Sequence, residues 1–164
     1  MHQVSSIVLG LAVALQYVAC QVIEPGRTYA IRNVAAGTVL DVNNVDWKTV
    51  TGWQFNGGDD QKWTIYRTLG HYAIRNLGSG TYLGIPEESQ TVSDGTPLIC
   101  SEEQLQWQIE GAGNGQFRIY YPDHGRSIVV DLEGGGSPAD GTAAILSSEI
   151  PEKPSQLWFF DAVV

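Results

Sequence analysis

Apolar positions in this chain recur two apart rather than three or four apart. Tyr29/Ile31, Trp63/Ile65, Tyr72/Ile74, Trp107/Ile109, Phe117/Ile119 and Trp158/Phe160 each pair an aromatic with a second apolar residue. A period of two places both members on one face of a β-strand. Between these pairs lie turn signals such as Asn56-Gly57-Gly58-Asp59, Ser93-Asp94-Gly95, Gly113-Asn114-Gly115 and Gly134-Gly135-Gly136. Many short strands broken by Gly-rich turns predict an all-β barrel or sandwich. Helical periodicity is nearly absent beyond the N-terminal segment.

The strand pattern also repeats. Tyr29-Ala30-Ile31-Arg32-Asn33 returns unchanged as Tyr72-Ala73-Ile74-Arg75-Asn76, and Gly37-Thr38-Val39-Leu40-Asp41 returns as Gly80-Thr81-Tyr82-Leu83-Gly84. A third copy has drifted to Phe117-Arg118-Ile119-Tyr120-Tyr121. Trp63, Trp107 and Trp158 close the three copies, which run over about 26–69, 70–114 and 115–164. Three copies without polar end-caps predict a closed threefold arrangement rather than an open solenoid. The third copy carries extra length, including the Pro-bracketed loop Ile150-Pro151-Glu152-Lys153-Pro154.

The N-terminal run Ile7–Val18 is apolar but too short for a bilayer, which needs roughly 20 residues. With Ala19-Cys20-Gln21 following, residues 1–20 are expected to be a secretory signal peptide and 21–164 a single extracellular domain. The missing basic n-region argues against a lipoprotein reading of Cys20. Cleavage would leave Cys100 alone, a small buried hydrophobe by expectation; if Cys20 is retained, a Cys20–Cys100 bridge becomes available. Nine basic residues against 18 acidic ones give a net charge of −9. Such a surface repels phosphate backbones and anionic headgroups, which disfavours nucleic acid and membrane insertion.

Gln61-Lys62-Trp63 and Gln156-Leu157-Trp158 carry a Gln-x-Trp signature, while the second copy reads Leu105-Gln106-Trp107. With the string Gly52-Trp53-Gln54-Phe55-Asn56 ahead of Gln61, the chain resembles the ricin-B-chain-like β-trefoil lectins of mushrooms. The resemblance implies twelve strands, four per repeat, about a pseudo-threefold axis. It also implies structural roles for Gln61, Trp63, Trp107, Gln156 and Trp158.

Sugar recognition needs a carboxylate for neighbouring hydroxyls, an amide for the rest, and an aromatic face for the ring. The resemblance places the carboxylate at Asp41. Trp53, with Phe55 as substitute, offers the aromatic face; Asn56 and Asp60 lie in the loop ahead of Gln61. Trp47 is either a wall of the site or buried under its loop. Asp60 only accepts hydrogen bonds when ionised, which changes the hydroxyl pattern it reads. The competing reading of Asp41 is a turn residue bonding its own loop. In the second repeat Gly84 replaces Asp41, so no site is expected there. Asp131 makes the third repeat a weak second candidate without an aromatic.

No nucleophile elbow, zinc-protease helix, phosphate loop or Cys-x-x-Cys is present in the sequence. His71 and His124 lie in different repeats at turn positions, and Asp59-Asp60 lacks the oxygen ligands of a cation site. No cofactor, metal or catalytic residue is therefore expected. The expectation is a secreted lectin for galactose- or N-acetylgalactosamine-type glycans and glycoproteins, with a homodimer as the route to avidity. The alternative is a protein-binding trefoil, either a protease inhibitor or a lectin-like accessory subunit, presenting the Ile150–Pro154 loop. A module severed from a hydrolase is disfavoured by the signal segment.

Overall fold

The computed structural model describes residues 22–89, 91–122 and 127–163. The expected signal segment, Cys20 and His124 lie outside them. The first repeat contributes β1 (Thr28–Asn33), β2 (Val39–Val42), β3 (Val50–Trp53) and β4 (Trp63–Thr68). The second contributes β5 (His71–Asn76), β6 (Tyr82–Gly84), β7 (Thr96–Pro97), β8 (Ile99–Ser101) and β9 (Gln108–Gly113). The third contributes β10 (Gln116–Tyr120), β11 (Ile128–Leu132), β12 (Thr142–Ser148) and β13 (Trp158–Ala162).

The first and last strands of the copies alternate around a closed barrel. β1 pairs with β4, β4 with β5, β9 with β10, β10 with β13, and β13 returns to β1. A bridge between Tyr72 and Trp107 joins the second copy's ends, each backbone N–H reaching the other's carbonyl at 2.7 Å. The inner strands form three hairpins, β2–β3, β6–β8 and β11–β12. These hairpins meet one another: Val50 N–H donates to Leu98 O at 3.4 Å, Leu98 N–H to Ala144 O at 2.9 Å, and Ala143 pairs with Thr51. The ring is closed, and the architecture is a β-trefoil.

Among the described residues, thirteen strand segments replace the expected twelve because the third strand of the second copy is split at Leu98. Pro97 has no N–H to give a ladder. The chain therefore pairs with β12 through Thr96–Pro97 and with β6 through Ile99–Ser101. A four-residue helical stretch at Glu133–Gly136 is a glycine turn, with Gly134 and Gly135 at φ 66° and 71°.

The alternating pattern fills the barrel. Trp63, Trp107 and Trp158 are fully buried beside Ile31, Leu40 and Ile65. Phe160 meets the edges of Tyr29 and Phe117 at centroid distances of 5.7 and 5.4 Å. Each indole also needs a partner for its N–H. Trp63 donates to Leu40 O (2.9 Å), Trp107 to Leu83 O (2.9 Å) and Trp158 to Val130 O (3.1 Å). Those acceptors immediately precede Asp41, Gly84 and Asp131. Cys100 is buried, and burial pushes its thiol pKa up to about 12, so it packs rather than reacts.

Replacing Trp158 with Ala removes a fully buried ring and its hydrogen bond together. We expect a loss of roughly 3–5 kcal/mol in urea denaturation, from lost contacts plus the cavity left behind.

Candidate functional site

Asp41 lies in the middle of β2, where Leu40 and Val42 are core residues. Its backbone position faces Thr51, and Trp53 ends the neighbouring strand opposite Val39. Asp41 as a whole is 6% exposed. Its Oδ2 accepts from Gln61 Nε2 at 2.9 Å. The same amide donates to Gln54 O (2.9 Å), and Gln61 Oε1 accepts from Asn56 N–H (2.7 Å). Fully buried Gln61 thus fastens the strand carrying Asp41 to the loop carrying Asn56. Burial drives the Asp41 pKa above its ordinary value; Gln61 opposes this, and the charges of Asp60 and Asp140 reinforce it.

Above Asp41 opens a cleft of about 470 Å³ lined by Asp41, Asn43, Thr49, Trp53, Asn56 and Asp60, among others. Trp53 is 41% exposed, and its ring lies over Gly141, where an added Cβ would stand 3.7 Å from Cζ3. Asn56 Oδ1 accepts from Gly58 N–H at 2.7 Å, leaving its Nδ2 as a donor. Asp60 Oδ1 is buried without a hydrogen-bond partner among the described residues. It lies so close above Gly58 that a Cβ there would come within 2.2 Å. The opposite wall is ordered by Asp46, which accepts from Lys48 N–H, Thr49 N–H and Thr49 Oγ1 at 2.8, 3.0 and 2.6 Å. A wall fixed in advance loses less entropy on binding.

Asp41, Trp53, Asn56 and Asp60 therefore come together in one cleft. Phe55 and Trp47 do not line it. Phe55 is 52% exposed, and Trp47 is 45% exposed with its ring beside Gly78. In the second copy, strand register sets Gly84 and Ser101 where the first has Asp41 and Trp53. Leu105 stands in place of Gln61.

The third copy keeps the pair but closes it. Gln156 Nε2 donates to Asp131 Oδ2 (3.1 Å) and Ser148 O (2.9 Å), repeating the first copy. Lys153 Nζ then stands 2.8 Å from Asp131 Oδ2. Asp131 is 2% exposed, and Ser147 occupies the register position of Trp53. Burial pulls the Asp131 pKa up, but the bonds from Lys153 and Gln156, with the nearby Ser155 hydroxyl, outweigh it and hold the carboxyl below its ordinary value. The candidate second site is thus occupied by a lysine of its own loop.

Four contributors escape notice in the linear sequence: Lys153, Asp140, Asn33 and Asn76. Asp140 Oδ1 accepts from Gln54 N–H at 2.7 Å and so anchors the cleft's loop from another repeat. Asn76 Nδ2 donates to Asp60 O (2.8 Å), and Asn33 Nδ2 to Ser155 O (2.8 Å). Each Asn thereby clamps the turn ahead of another copy's Gln-x-Trp. Their identical place in two repeats was the available signal; the third repeat has Tyr121 there.

A family model described as ricin-type β-trefoil lectin domain-like matches residues 16–101. The ricin B-like lectin of Macrolepiota procera, solved with lactose, is 34% identical, with a TM-score of 0.79 over 86% of this chain and 99% of that one. The chain belongs to the ricin-type β-trefoil lectin family. The Rhizoctonia solani agglutinin is 28% identical, with a TM-score of 0.74 over 87% of this lectin-family chain and 99% of its own. The designed threefold-symmetric protein ThreeFoil, 24% identical, shares the fold at a TM-score of 0.74 over 83% and 99%. No functionally curated sequence matches this family member.

The two carboxylates predict opposite pH behaviour. The folded pKa of Asp131 lies below 3.8, so its contribution is present above that pH and is lost as pH falls through the folded value. The folded pKa of Asp41 lies above 3.8, so its contribution is present below 3.8 and is lost as pH rises through the raised value. Asp131→Asn should cost about 1–3 kcal/mol at neutral pH, because it strips Lys153 of its partner. That cost should shrink in acid. Asp41→Asn should compare more favourably with wild type at neutral pH than below pH 3.8. Urea denaturation at both pH values checks the two signs.

Proposed function

We propose that this chain is a secreted lectin that binds galactose- or N-acetylgalactosamine-type ends of glycans through the first-repeat cleft, without turning them over. The observation that carries the reading is the Asp41–Gln61 pair at the floor of a cleft edged by half-exposed Trp53. Asp41 accepts from vicinal hydroxyls, Asn56 Nδ2 donates, and the indole covers the apolar face of the ring. The sugar class is supported by the family resemblance and by the lactose bound to the Macrolepiota procera lectin. Lactose ends in galactose.

One open site of this kind binds weakly, so dimerisation is the proposed route to avidity. A second reading draws support from the Ile150–Pro154 loop. Half-exposed Ile150 is held rigid there by Arg118, which donates to its carbonyl at 3.3 Å, and by the Lys153–Asp131 bond. Such a loop suits a protein partner, and inhibition of a serine or cysteine protease in a panel assay would favour it.

A glycan array followed by titration with lactose tests the lectin reading. Asp41→Asn should lower affinity at least tenfold, equivalent to ~1.4 kcal/mol. Trp53→Ala should cost about 0.5–1.5 kcal/mol through the lost ring face. A folded wild-type protein that retains no glycan, or an Asp41→Asn variant that binds like wild type, would overturn this assignment.

A further inference from the structure

The first and third copies of the Asp–Gln arrangement differ in charge. In the third, Lys153 immediately precedes a 3₁₀ turn, and its Nζ shares Asp131 Oδ2 with Gln156 Nε2. The residue preceding the equivalent turn in the first copy is Gly58, which has no side chain to send inward. Two residues further on, Ser155 of the third copy is matched by Asp60. The third copy thus pairs one carboxylate with one ammonium. The first sets Asp41 and Asp60 around one cleft whose lining residues include no Lys or Arg.

The acceptors in that cleft are incompletely used. Gln61 occupies only Oδ2 of the nearly buried Asp41, and Asp60 lines the same cleft with its Oδ1 packed over Gly58 and unpartnered among the described residues. Carboxylate oxygens accept and never donate when ionised, and desolvated like charges favour a cationic donor beside them. The molecule itself displays that solution in its third copy, with a primary ammonium 2.8 Å from the matching oxygen.

We propose that the first-repeat cleft prefers a sugar bearing a free amine: a 2-amino-2-deoxyhexose in its ammonium form, such as the galactosamine unit of a de-N-acetylated glycan. This rests on the carbohydrate reading of the cleft and narrows its ligand. The ammonium takes the place that Lys153 Nζ holds in the third copy and donates to Asp41 and Asp60. The ring lies against Trp53. A neutral hydroxyl offers one donor and an acetamide N–H one, whereas an ammonium offers three together with the compensating charge.

Titration of the whole protein with methyl galactosaminide, methyl galactoside and methyl N-acetylgalactosaminide tests this near neutral pH. The amine should bind about five- to tenfold more tightly than the neutral sugars at low salt, as charge-assisted bonds in a half-open site allow. The advantage should collapse toward parity at ~1 M salt, where the screening length is about 3 Å. Asp60→Asn should narrow the ratio. The double substitution G58K/D60S installs the third copy's arrangement and should abolish amine binding, with a thermal melt confirming the fold; Gly58 has φ −62°, which any residue adopts, and D60S removes the carboxylate oxygen that a Cβ at 58 would meet at 2.2 Å, leaving the Asn56 side chain, 2.9 Å away, to shift. Galactoside binding that needs Asp41 but shows no amine advantage would overturn this inference and leave the lectin reading intact. An advantage that persists in G58K/D60S or at high salt would overturn it too. Wild-type protein that binds none of the three sugars removes the underlying lectin reading instead.

Discussion

The hydrogen bond from a buried tryptophan to the carbonyl just before the candidate site position is the constraint on which this molecule depends. Trp63, Trp107 and Trp158 each fill the barrel and each tie down one inner strand, at Leu40, Leu83 and Val130. A buried indole N–H without an acceptor is costly, so ring and carbonyl are fixed together. The next residue outward is then held in place by the core itself. Asp41 occupies that post in the first copy, Gly84 in the second and Asp131 in the third.

A carboxylate held in a buried strand needs its own donor, and that need explains why losses come in groups. Gln61 and Gln156 donate to Asp41 and Asp131, while Asn76 and Asn33 clamp the turns that carry those glutamines. Where the carboxylate is gone, at Gly84, the glutamine has become Leu105 and the clamping asparagine's counterpart is Tyr121. Leu105 packs against the core, and Tyr121 meets Trp107 edge-on at 6.2 Å. With no acid to satisfy, these positions contribute apolar contact instead. A buried amide facing no partner is the worse alternative.

The fold was legible in the sequence because its determinants are local and repeated. Period-two aromatics such as Tyr29/Ile31 fixed strands, and three tryptophans fixed the number of copies. The split at Leu98 was less visible, since Pro97 breaks a ladder only where two neighbouring strands compete for the chain. The convergence of Asp41, Trp53, Asn56 and Asp60 on one cleft was legible because they fall within twenty residues of one repeat. Trp47 and Phe55 are aromatics of the same stretch, but Trp47 sits in the loop before β3 and Phe55 beyond its end, outside the ladder that holds Trp53 at the cleft. Lys153 and Asp140 act across distances set by the fold. Lys153 reads as part of a loop until the turn that follows it turns its side chain onto Asp131.

The first and third copies also treat the same buried acid in different ways. The third copy neutralises its buried acid internally: Lys153 and Gln156 both donate to Asp131 Oδ2 and help hold the carboxyl below its ordinary pKa, although Oδ1 has no partner among the described residues. The first leaves Asp41 with one donor, so burial raises its pKa against Gln61, with the charges of Asp60 and Asp140 adding to the rise. Functional sites commonly violate local rules that the surrounding fold must compensate. Here the compensation is structural, because the barrel strands and fully buried tryptophans of all three copies form one core. An under-satisfied acid in one repeat is therefore borne by packing that the other two repeats share.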